Sequence, residues 1–291
     1  MPVIAVINRK GGSGKSTMAT HLAAWLAHQN VAVMLGDVDK QQSTRAWLKR
    51  RSASLPTIVP WALDQKNVLK APAGVTHVVL DTPGGMQGFD LARVVMSADA
   101  IVMPVCNSMF DRESAASCHA ELLSLPRIAS GRCKLGVVGM RLDARTKAAE
   151  TLRAWADGLG VPFLGVLRET QVYVKSLDNG VTVFDAAPGV YPTDVLQWEP
   201  ILQWLRPVAK LAVSTIPRAE AGTAMAPSAN PDRIHAGRVP SLMPAQESML
   251  HGDRLNGFST GHLPLGDAAL VETRPTPATL RKPVPQFLLR H

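Results

Sequence analysis

The chain has 291 residues, of which 46% are hydrophobic, so it is long enough to bury one large core or two small ones. Its formal net charge of +8 favours an anionic partner, such as nucleic acid or an acidic membrane surface. The three cysteines fit neither a disulfide framework nor a paired metal site, and the lack of a secretory pattern or a bilayer-length apolar run predicts a cytoplasmic protein.

The first predicted element is a strand that leads into a glycine-rich loop. Apolar residues 3–7 precede the sequence Asn8-Arg9-Lys10-Gly11-Gly12-Ser13-Gly14-Lys15-Ser16-Thr17, and a helical pattern follows it. Strand, glycine loop and helix start form the context of a phosphate-binding loop, because backbone N–H groups and the helix N-terminus then point at one anion. Lys15 would add a charge near the β- and γ-phosphates, and the Ser16 hydroxyl is placed to bind Mg²⁺. A glycine-rich turn with a capping serine is the alternative interpretation.

Two carboxylates follow the second predicted strand, Val31–Leu35. Asp37 and Asp39 are spaced by one residue at a strand end, so we expect both to point to the same side, facing phosphates and Mg²⁺. The alternative is that an aspartate here caps the next predicted helix, Ser43–Arg51.

The remaining predicted strands complete a sheet. They are Thr57–Val59, Val78–Leu80, Ala100–Val105, Leu135–Val138 and Val161–Leu167. Because these apolar runs are continuous and alternate with helical stretches, they predict a mainly parallel sheet covered on both faces, in a three-layer α/β/α fold. Ligands of such a sheet bind at the carboxyl ends of its strands. At one of these ends, Asp81 is followed by Thr82-Pro83-Gly84, the Walker B arrangement, in which the carboxylate reaches Mg²⁺.

The loop resembles the deviant Walker A motif of the ParA/MinD family of P-loop ATPases. Arg9 stands where the usual loop has a glycine, and Lys10 supplies the second lysine typical of the family. Asp39 and Asp81 follow in the family's order, and the resemblance covers about residues 1–213. It implies a P-loop NTPase fold that binds ATP and Mg²⁺, with Ser16 and Asp81 as metal ligands. The implied catalytic residues are Lys10, Lys15 and Asp39, and the implied nucleotide-binding residues are Gly11, Gly12, Ser13, Gly14, Lys15, Ser16 and Thr17.

The resemblance also implies a reaction cycle. ATP would make two chains sandwich their nucleotides, with Lys10 reaching the partner's nucleotide and Asp39 orienting the attacking water. The ATP-bound homodimer would bind a surface such as non-specific DNA of the nucleoid. A ParB-like protein or a cargo adaptor would then stimulate slow hydrolysis, so that DNA or a protein cargo is positioned. The alternatives are a MinD-like membrane-associated ATPase and a nucleotide-binding scaffold with little hydrolysis.

Cations after the later strands are candidates for DNA contacts. Arg141, Arg145 and Lys147 follow one predicted strand, and Arg168 and Lys175 fall near the place where related proteins carry DNA-contacting cations. The +8 of the whole chain less the +2 of residues 216–291 leaves +6 on residues 1–215. We therefore expect a nucleoid-associated protein.

The chain changes character near residue 215. Apolar positions at helical spacing over about residues 191–213 predict a closing helix or helix pair. Ten of the chain's 22 prolines then fall in residues 216–291, which have no sustained periodicity. The sequence thus predicts a ParA-like ATPase domain over 1–215 and a disordered tail over 216–291.

Overall fold

A computed structural model describes residues 1–39, 41–62 and 72–211. Within these ranges one seven-stranded sheet is covered by helices on both faces, which confirms the predicted α/β/α fold of a P-loop NTPase. The predicted domain boundary at residue 215 and the predicted tail, 216–291, lie outside the described residues. The division into domains therefore stays a prediction.

Every neighbouring pair of strands in the sheet is parallel. The strands are Val3–Val6 (β1), Val33–Asp37 (β2), Ile58–Ala62 (β3), His77–Asp81 (β4), Ala100–Val105 (β5), Lys134–Met140 (β6) and Phe163–Leu167 (β7). Their order across the sheet is β3-β2-β4-β1-β5-β6-β7. Because β1 lies in the middle, the glycine-rich loop at its carboxyl end is flanked by the ends of β4 and β5.

The helices form two layers. They are Lys15–His28 (α1), Ser43–Leu48 (α2), Gly88–Ser97 (α3), Met109–Leu123 (α4), Pro126–Ala129 (α5), Lys147–Gly158 (α6), Gln171–Asp178 (α7) and Pro192–Leu205 (α8). Helices α1, α2, α7 and α8 contribute to the core on one face of the sheet, and α3 to α6 to the core on the other. The predicted helix Ser43–Arg51 ends earlier, at Leu48, because the amides of Arg50 and Arg51 bond three residues back in turns.

Strand β1 explains why the apolar runs are continuous. Ile4 and Val6 belong to the core under α1, whereas Val3, Ala5 and Ile7 belong to the core on the opposite face. All five side chains are buried. A strand that is covered on both faces has no solvent side, so its sequence shows no alternation of apolar and polar residues.

The structure also answers two questions raised by the sequence, namely whether the cysteines are paired and whether a helix could span a membrane. Cys106, Cys118 and Cys133 are all free thiols. Between residues 1 and 211, leaving out the undescribed gaps, no helix is both long enough and apolar enough to cross a bilayer.

Candidate functional site

A polar cleft of about 640 Å³ opens at the carboxyl ends of the central strands. It is lined by Gly11, Gly12, Gly14, Lys15, Ser16, Thr17, Asp39, Gln41, Ser43, Thr82, Pro83, Gly84 and Arg141. Four segments that are far apart in the sequence meet here, namely the glycine-rich loop after β1, the residues after β2, the residues after β4 and Arg141 after β6. The structure thereby brings together most of the residues that the sequence assigned to a nucleotide site.

The glycine-rich loop takes its shape from two glycines and from a neighbouring backbone. Gly12 and Gly14 have φ values of 74° and 93°, which only glycine adopts without strain, and Gly14 immediately precedes α1. A Cβ at Gly84 would lie only 3.2 Å from the backbone N and Cα of Gly11. The Gly85 N–H also donates to the Arg9 carbonyl over 2.6 Å. The loop after β4 therefore packs directly against the backbone of the phosphate-binding loop and supports its shape.

Lys15 is the cation inside the cleft. Its Nζ donates to the Lys10 carbonyl over 2.9 Å, and its side chain is largely buried at the start of α1. Burial lowers the pKa of Lys15, whereas the nearby carboxylates of Asp81 and Asp39 raise it. A buried ammonium whose hydrogen bond is to a neutral carbonyl would gain from an anionic ligand in the cleft.

Asp81 lies beneath the loop, with 1% of its surface exposed. Burial raises the pKa of its carboxyl to about 7; Asp37 and Asp39 add to the rise, whereas a hydrogen bond from Ser16 and the charge of Lys15 oppose it. Within the described residues, Asp81 Oδ1 and the Ser13 hydroxyl are buried without a hydrogen-bond partner. The Asp81 carboxyl, which accepts from the Ser16 hydroxyl and has one unpaired oxygen among these residues, provides the pair of an aspartate and a loop serine that holds Mg²⁺ in a P-loop.

The residues present therefore fit Mg²⁺ bound together with a nucleotide. Among the described residues, no group of three or more His, Cys, Asp or Glu side chains could hold a metal by itself. A cation beside Ser16 and Asp81 would have to share oxygens of a bound phosphate, which is how Mg²⁺ binds in phosphoryl-transfer sites.

The two aspartates at the carboxyl end of β2, Asp37 and Asp39, have different roles. Asp37 Oδ2 accepts from the Thr44 amide over 3.0 Å and from the Thr44 hydroxyl over 2.7 Å, and it also accepts from the Arg45 amide over 3.3 Å. Asp37 therefore caps the first turn of α2. The expectation that both carboxylates face the phosphates is wrong for Asp37, because the chain turns back after β2 and brings the amides of α2 onto it.

Asp39 is the carboxylate that lines the cleft. Its Oδ1 accepts from the Gln41 amide over 3.0 Å, and its own amide donates to Asp37 Oδ1 over 3.1 Å. Because Asp37 does the capping, the capping alternative does not account for Asp39. Its place in the cleft is compatible with the role in hydrolysis that the resemblance implies.

Lys10 does not line the cleft. Its ammonium pairs with Asp111 in the first turn of α4, and the neighbouring Arg9 pairs with Glu121 near the other end of that helix. The amide of Gly88, the first residue of α3, also donates to Glu121. Both cations at the entrance of the phosphate-binding loop are thus tied to α4, a connection between distant segments that sequence motifs could not indicate.

The five cations assigned to DNA are placed differently from one another. Arg141 lines the nucleotide cleft, with a φ of 58° directly after β6, so its position favours a contact to nucleotide. Arg145 pairs with Asp143, and both are exposed. Arg168 donates two hydrogen bonds to buried Asp194. The two lysines of this set, Lys147 and Lys175, are exposed.

The sequence analysis did not place Arg141 in the cleft, and its assignment to DNA stays a prediction. A signal was available, because polar residues that follow the strands of a parallel sheet tend to reach its ligand site.

A nucleotide-binding P-loop protein is the class that this fold and cleft define. The chain belongs to the CobQ/CobB/MinD/ParA nucleotide binding domain family, whose model matches residues 4–183. This is a family of P-loop ATPases that includes positioning proteins of the ParA and MinD types, as the sequence analysis predicted.

Individual relatives agree with the family assignment. The chain is 39% identical over 186 residues to "Maintenance of carboxysome distribution protein A" of Gloeobacter kilaueensis, a match that covers 62% of this chain and 83% of the relative. The ATP complex of a McdA variant from Cyanothece has the same fold, with a TM-score of 0.55, 14% identity, and coverage of 73% of this chain and 98% of that one. MinD from Pyrococcus horikoshii OT3, solved with Mg-ADP, gives a TM-score of 0.54, 15% identity, and coverage of 73% and 99%.

Proposed function

We propose that this chain is a slow, partner-stimulated ATP hydrolase that binds ATP with Mg²⁺, dimerises around the nucleotide and positions DNA or a protein cargo. One observation carries the proposal: the buried Asp81 carboxylate lies beside Ser16 and Lys15, beneath a loop of glycine backbone, with one oxygen unpaired within the described residues. Membership of a family of positioning ATPases supports the cellular role. The similarity to a carboxysome distribution protein supports a protein cargo as well as DNA.

The residues assigned to the nucleotide site have separate proposed roles. Backbone N–H groups of residues 11–14, with the hydroxyls of Ser13 and Thr17, would bind the phosphates, and Lys15 would neutralise the β- and γ-phosphates. Ser16 and Asp81 would hold Mg²⁺, which when bound spreads the charge that develops on the phosphates. Asp39 would orient the attacking water, and Lys10 would reach the nucleotide of a second copy.

The binding role of Lys15 is tested by Lys15→Ala. The substitution removes the buried cation that faces the phosphates, so we expect tight ATP binding to be lost in titration calorimetry with Mg²⁺ present. Lys49→Ala is the matched control, because Lys49 is an exposed lysine at the end of α2, away from the cleft lining. ATP affinity in Lys15→Ala equal to that of the control would refute the assignment of the phosphate site.

The catalytic role of Asp39 is tested by Asp39→Asn. Asparagine keeps an oxygen that can accept from the Gln41 amide, so the local turn is retained while the charge is removed. We expect ATP binding to persist, the ATP-bound dimer to accumulate, and hydrolysis to fall by about 10²–10⁴-fold, the usual contribution of a group that assists proton transfer. Turnover at the wild-type rate would make Asp39 a structural residue only.

DNA binding is proposed for the ATP-bound dimer and implies a cytoplasmic, nucleoid-associated protein. The positive charge of residues 1–215 supports it, and two chains would present twice the cationic surface. Binding through Z phosphates should weaken with a log–log salt slope of about −0.9Z on duplex DNA. Mobility shifts with ATP, with ADP and without nucleotide, each at two salt concentrations, test this. If no ATP-dependent shift occurs at low salt, a protein or membrane surface becomes the binding partner to seek.

Stimulation by a partner is tested separately from DNA binding. We expect a ParB-like protein or a cargo adaptor to increase the hydrolysis rate of the wild-type chain and to leave Asp39→Asn unstimulated, because the partner acts on a water that this variant cannot orient. Stimulation of both proteins to the same rate would show that the partner supplies its own catalytic group.

A further inference from the structure

The amino-terminal end of α4 holds Lys10. The Lys10 ammonium lies 2.5 Å from Asp111 Oδ1, and Asp111 Oδ2 accepts from the Ser108 hydroxyl over 2.5 Å. The Asp111 amide in turn donates to Ser108 Oγ over 3.1 Å, as in a capped helix. The carboxylate that binds Lys10 is therefore itself fixed in position.

The backbone of Lys10 is also engaged. Its amide donates to Asn8 Oδ1 over 3.1 Å, and its carbonyl accepts from Lys15 Nζ over 2.9 Å. In the single chain the two lysines of the loop are thus bonded to protein groups, and the Lys10 side chain is turned toward α4 instead of lining the cleft. Lys10 must exchange its carboxylate partner before it can bind a phosphate.

We infer that Asp111 is a positioning residue that keeps the Lys10 side chain on α4 in the single chain. It thereby helps to set the concentration at which two ATP-bound chains pair. The inference rests on the proposed function, in which Lys10 reaches the nucleotide of a second copy. Each chain of the dimer would have to release Lys10 from Asp111 before the ammonium could contact the partner's phosphates.

The contact is weak enough to be exchanged. The Lys10 side chain is 38% exposed and that of Asp111 is 13% exposed, so water screens the pair. After Lys10 leaves, Asp111 keeps the Ser108 hydroxyl, and its negative charge still lies at the amino-terminal end of a helix, where it is favourable. The several negative charges of a bound triphosphate would attract Lys10 more strongly than a single carboxylate does.

The size of the effect follows from the exposure. A partly exposed ion pair changes an equilibrium constant by a factor of up to about five. Two such pairs, one in each chain, must break when a symmetric dimer forms. A variant that lacks the Lys10–Asp111 pair should therefore dimerise more strongly, by up to about 25-fold.

The test uses the full chain with Asp111→Asn. Asparagine keeps an oxygen that can accept from Ser108 but removes the charge that holds Lys10. Sedimentation over a concentration series, with Mg²⁺ and a non-hydrolysable ATP analogue, should give a dimer dissociation constant that is lower by up to about 25-fold. Affinity for the analogue, measured by calorimetry at concentrations where the chain is monomeric, should be unchanged.

Two controls separate the proposed role from general effects of charge or folding. Glu113→Gln removes the same charge from an exposed residue in the same turn of α4, so it should leave the dimer constant unchanged. In a Lys10→Ala background, Asp111→Asn should have no further effect, because there is no ammonium left to release.

An unchanged or higher dissociation constant in Asp111→Asn, or the same gain in the Lys10→Ala background, would overturn the inference. The proposed function fails in a different way, namely by absence of ATP binding in the calorimetric measurement. Normal nucleotide binding together with an unmoved dimer constant therefore refutes the role of Asp111 alone.

Discussion

His21, in the second turn of α1, should make the stability of this protein depend on pH. Its side chain is fully buried and stacks on Trp198, with ring centroids 5.2 Å apart. Nδ1 lies 2.8 Å from the Thr17 carbonyl, which can only accept, and the Val183 amide donates to Nε2 over 3.4 Å. These partners require a neutral ring with its proton on Nδ1. A second proton on Nε2 would face the Val183 N–H.

The magnitude follows from the shift in pKa. Burial lowers the pKa of His21 from its usual 6.5 to about 4, although the hydrogen bond to Thr17 and the charge of Asp185 oppose the shift. Between pH 6.5 and 4 the unfolded chain therefore binds a proton at this residue and the folded chain does not. The contribution of His21 to the free energy of unfolding is fully present above pH 6.5. It decreases as the pH falls toward 4, by about 3 kcal/mol in all.

The assay compares the wild type with His21→Phe, which keeps an aromatic ring against Trp198 but cannot titrate. The comparison is needed because Asp81, whose pKa is raised to about 7, works in the opposite direction: its stabilising contribution is lost as the pH rises through 7. That contribution is common to both proteins and cancels in the difference. Urea unfolding at several pH values between 4 and 7.5 gives the free energy of unfolding of each protein.

We expect the free energy of unfolding of the wild type, minus that of His21→Phe, to fall by about 3 kcal/mol between pH 7 and pH 4. A difference that is independent of pH would show that His21 titrates normally in the folded protein. The reasoning from its burial and hydrogen bonds would then be refuted.

Three further predictions test the loop, the cap and the domain boundary. Asp37→Ala removes the cap of α2 and should lower the free energy of unfolding by about 1–2 kcal/mol in urea titrations; no change would mean that water replaces the carboxylate. Gly84→Ala pushes a methyl group against Gly11, so it should weaken ATP binding in calorimetry, and undiminished affinity would show that the two loops can separate. A chain ended after Thr215 should keep its melting temperature and its ATP affinity, whereas a drop of many degrees would place part of the tail in the core.

The fold could be predicted because its signal is local. Residues 3–7 are apolar without interruption, and the structure buries Ile4 and Val6 on one face of the sheet and Val3 and Ala5 on the other. Burial on both faces is thus indicated by a short stretch of sequence. The position at which a helix ends depends more on contacts with distant segments. Helix α2 stops short of its predicted end at a place where Gly180, from a distant segment, lies against the backbone of Arg50.

The site could be predicted only as far as its residues share a motif. Lys15 and Ser16 follow from the loop itself, because neighbours in a strand–loop–helix unit have nearly fixed relative positions. The separate roles of Asp37 and Asp39 depend on the path of the chain after β2, which decides whose carboxylate meets the amides of α2. The contact of Lys10 with Asp111 joins segments about 100 residues apart, and no spacing rule connects them.

The pairing of Arg168 with Asp194 changes how the proposed DNA surface should be tested. The guanidinium donates from Nε and Nη2 to the two carboxylate oxygens over 2.8 and 2.9 Å, and the Asp194 side chain is only 2% exposed. In Arg168→Glu a second carboxylate would face a buried one, so the melting temperature should fall. Weaker DNA binding in that variant would therefore not separate a DNA contact from damage to the fold.

Lys147→Glu and Lys175→Glu give a sharper result. Both lysines are exposed in helices α6 and α7, so charge reversal should leave the melting temperature and ATP affinity unchanged. If each lysine binds one phosphate per chain, each substitution should weaken binding to all sequences alike and should reduce the steepness of the salt dependence by about 0.9 for every phosphate that is no longer bound. Glu150→Lys, a reversal of the opposite sign at an exposed residue of α6, is the control and should not weaken binding. Unchanged DNA affinity of both lysine variants at low salt with ATP would exclude these two lysines as the contacts, even if the wild type binds.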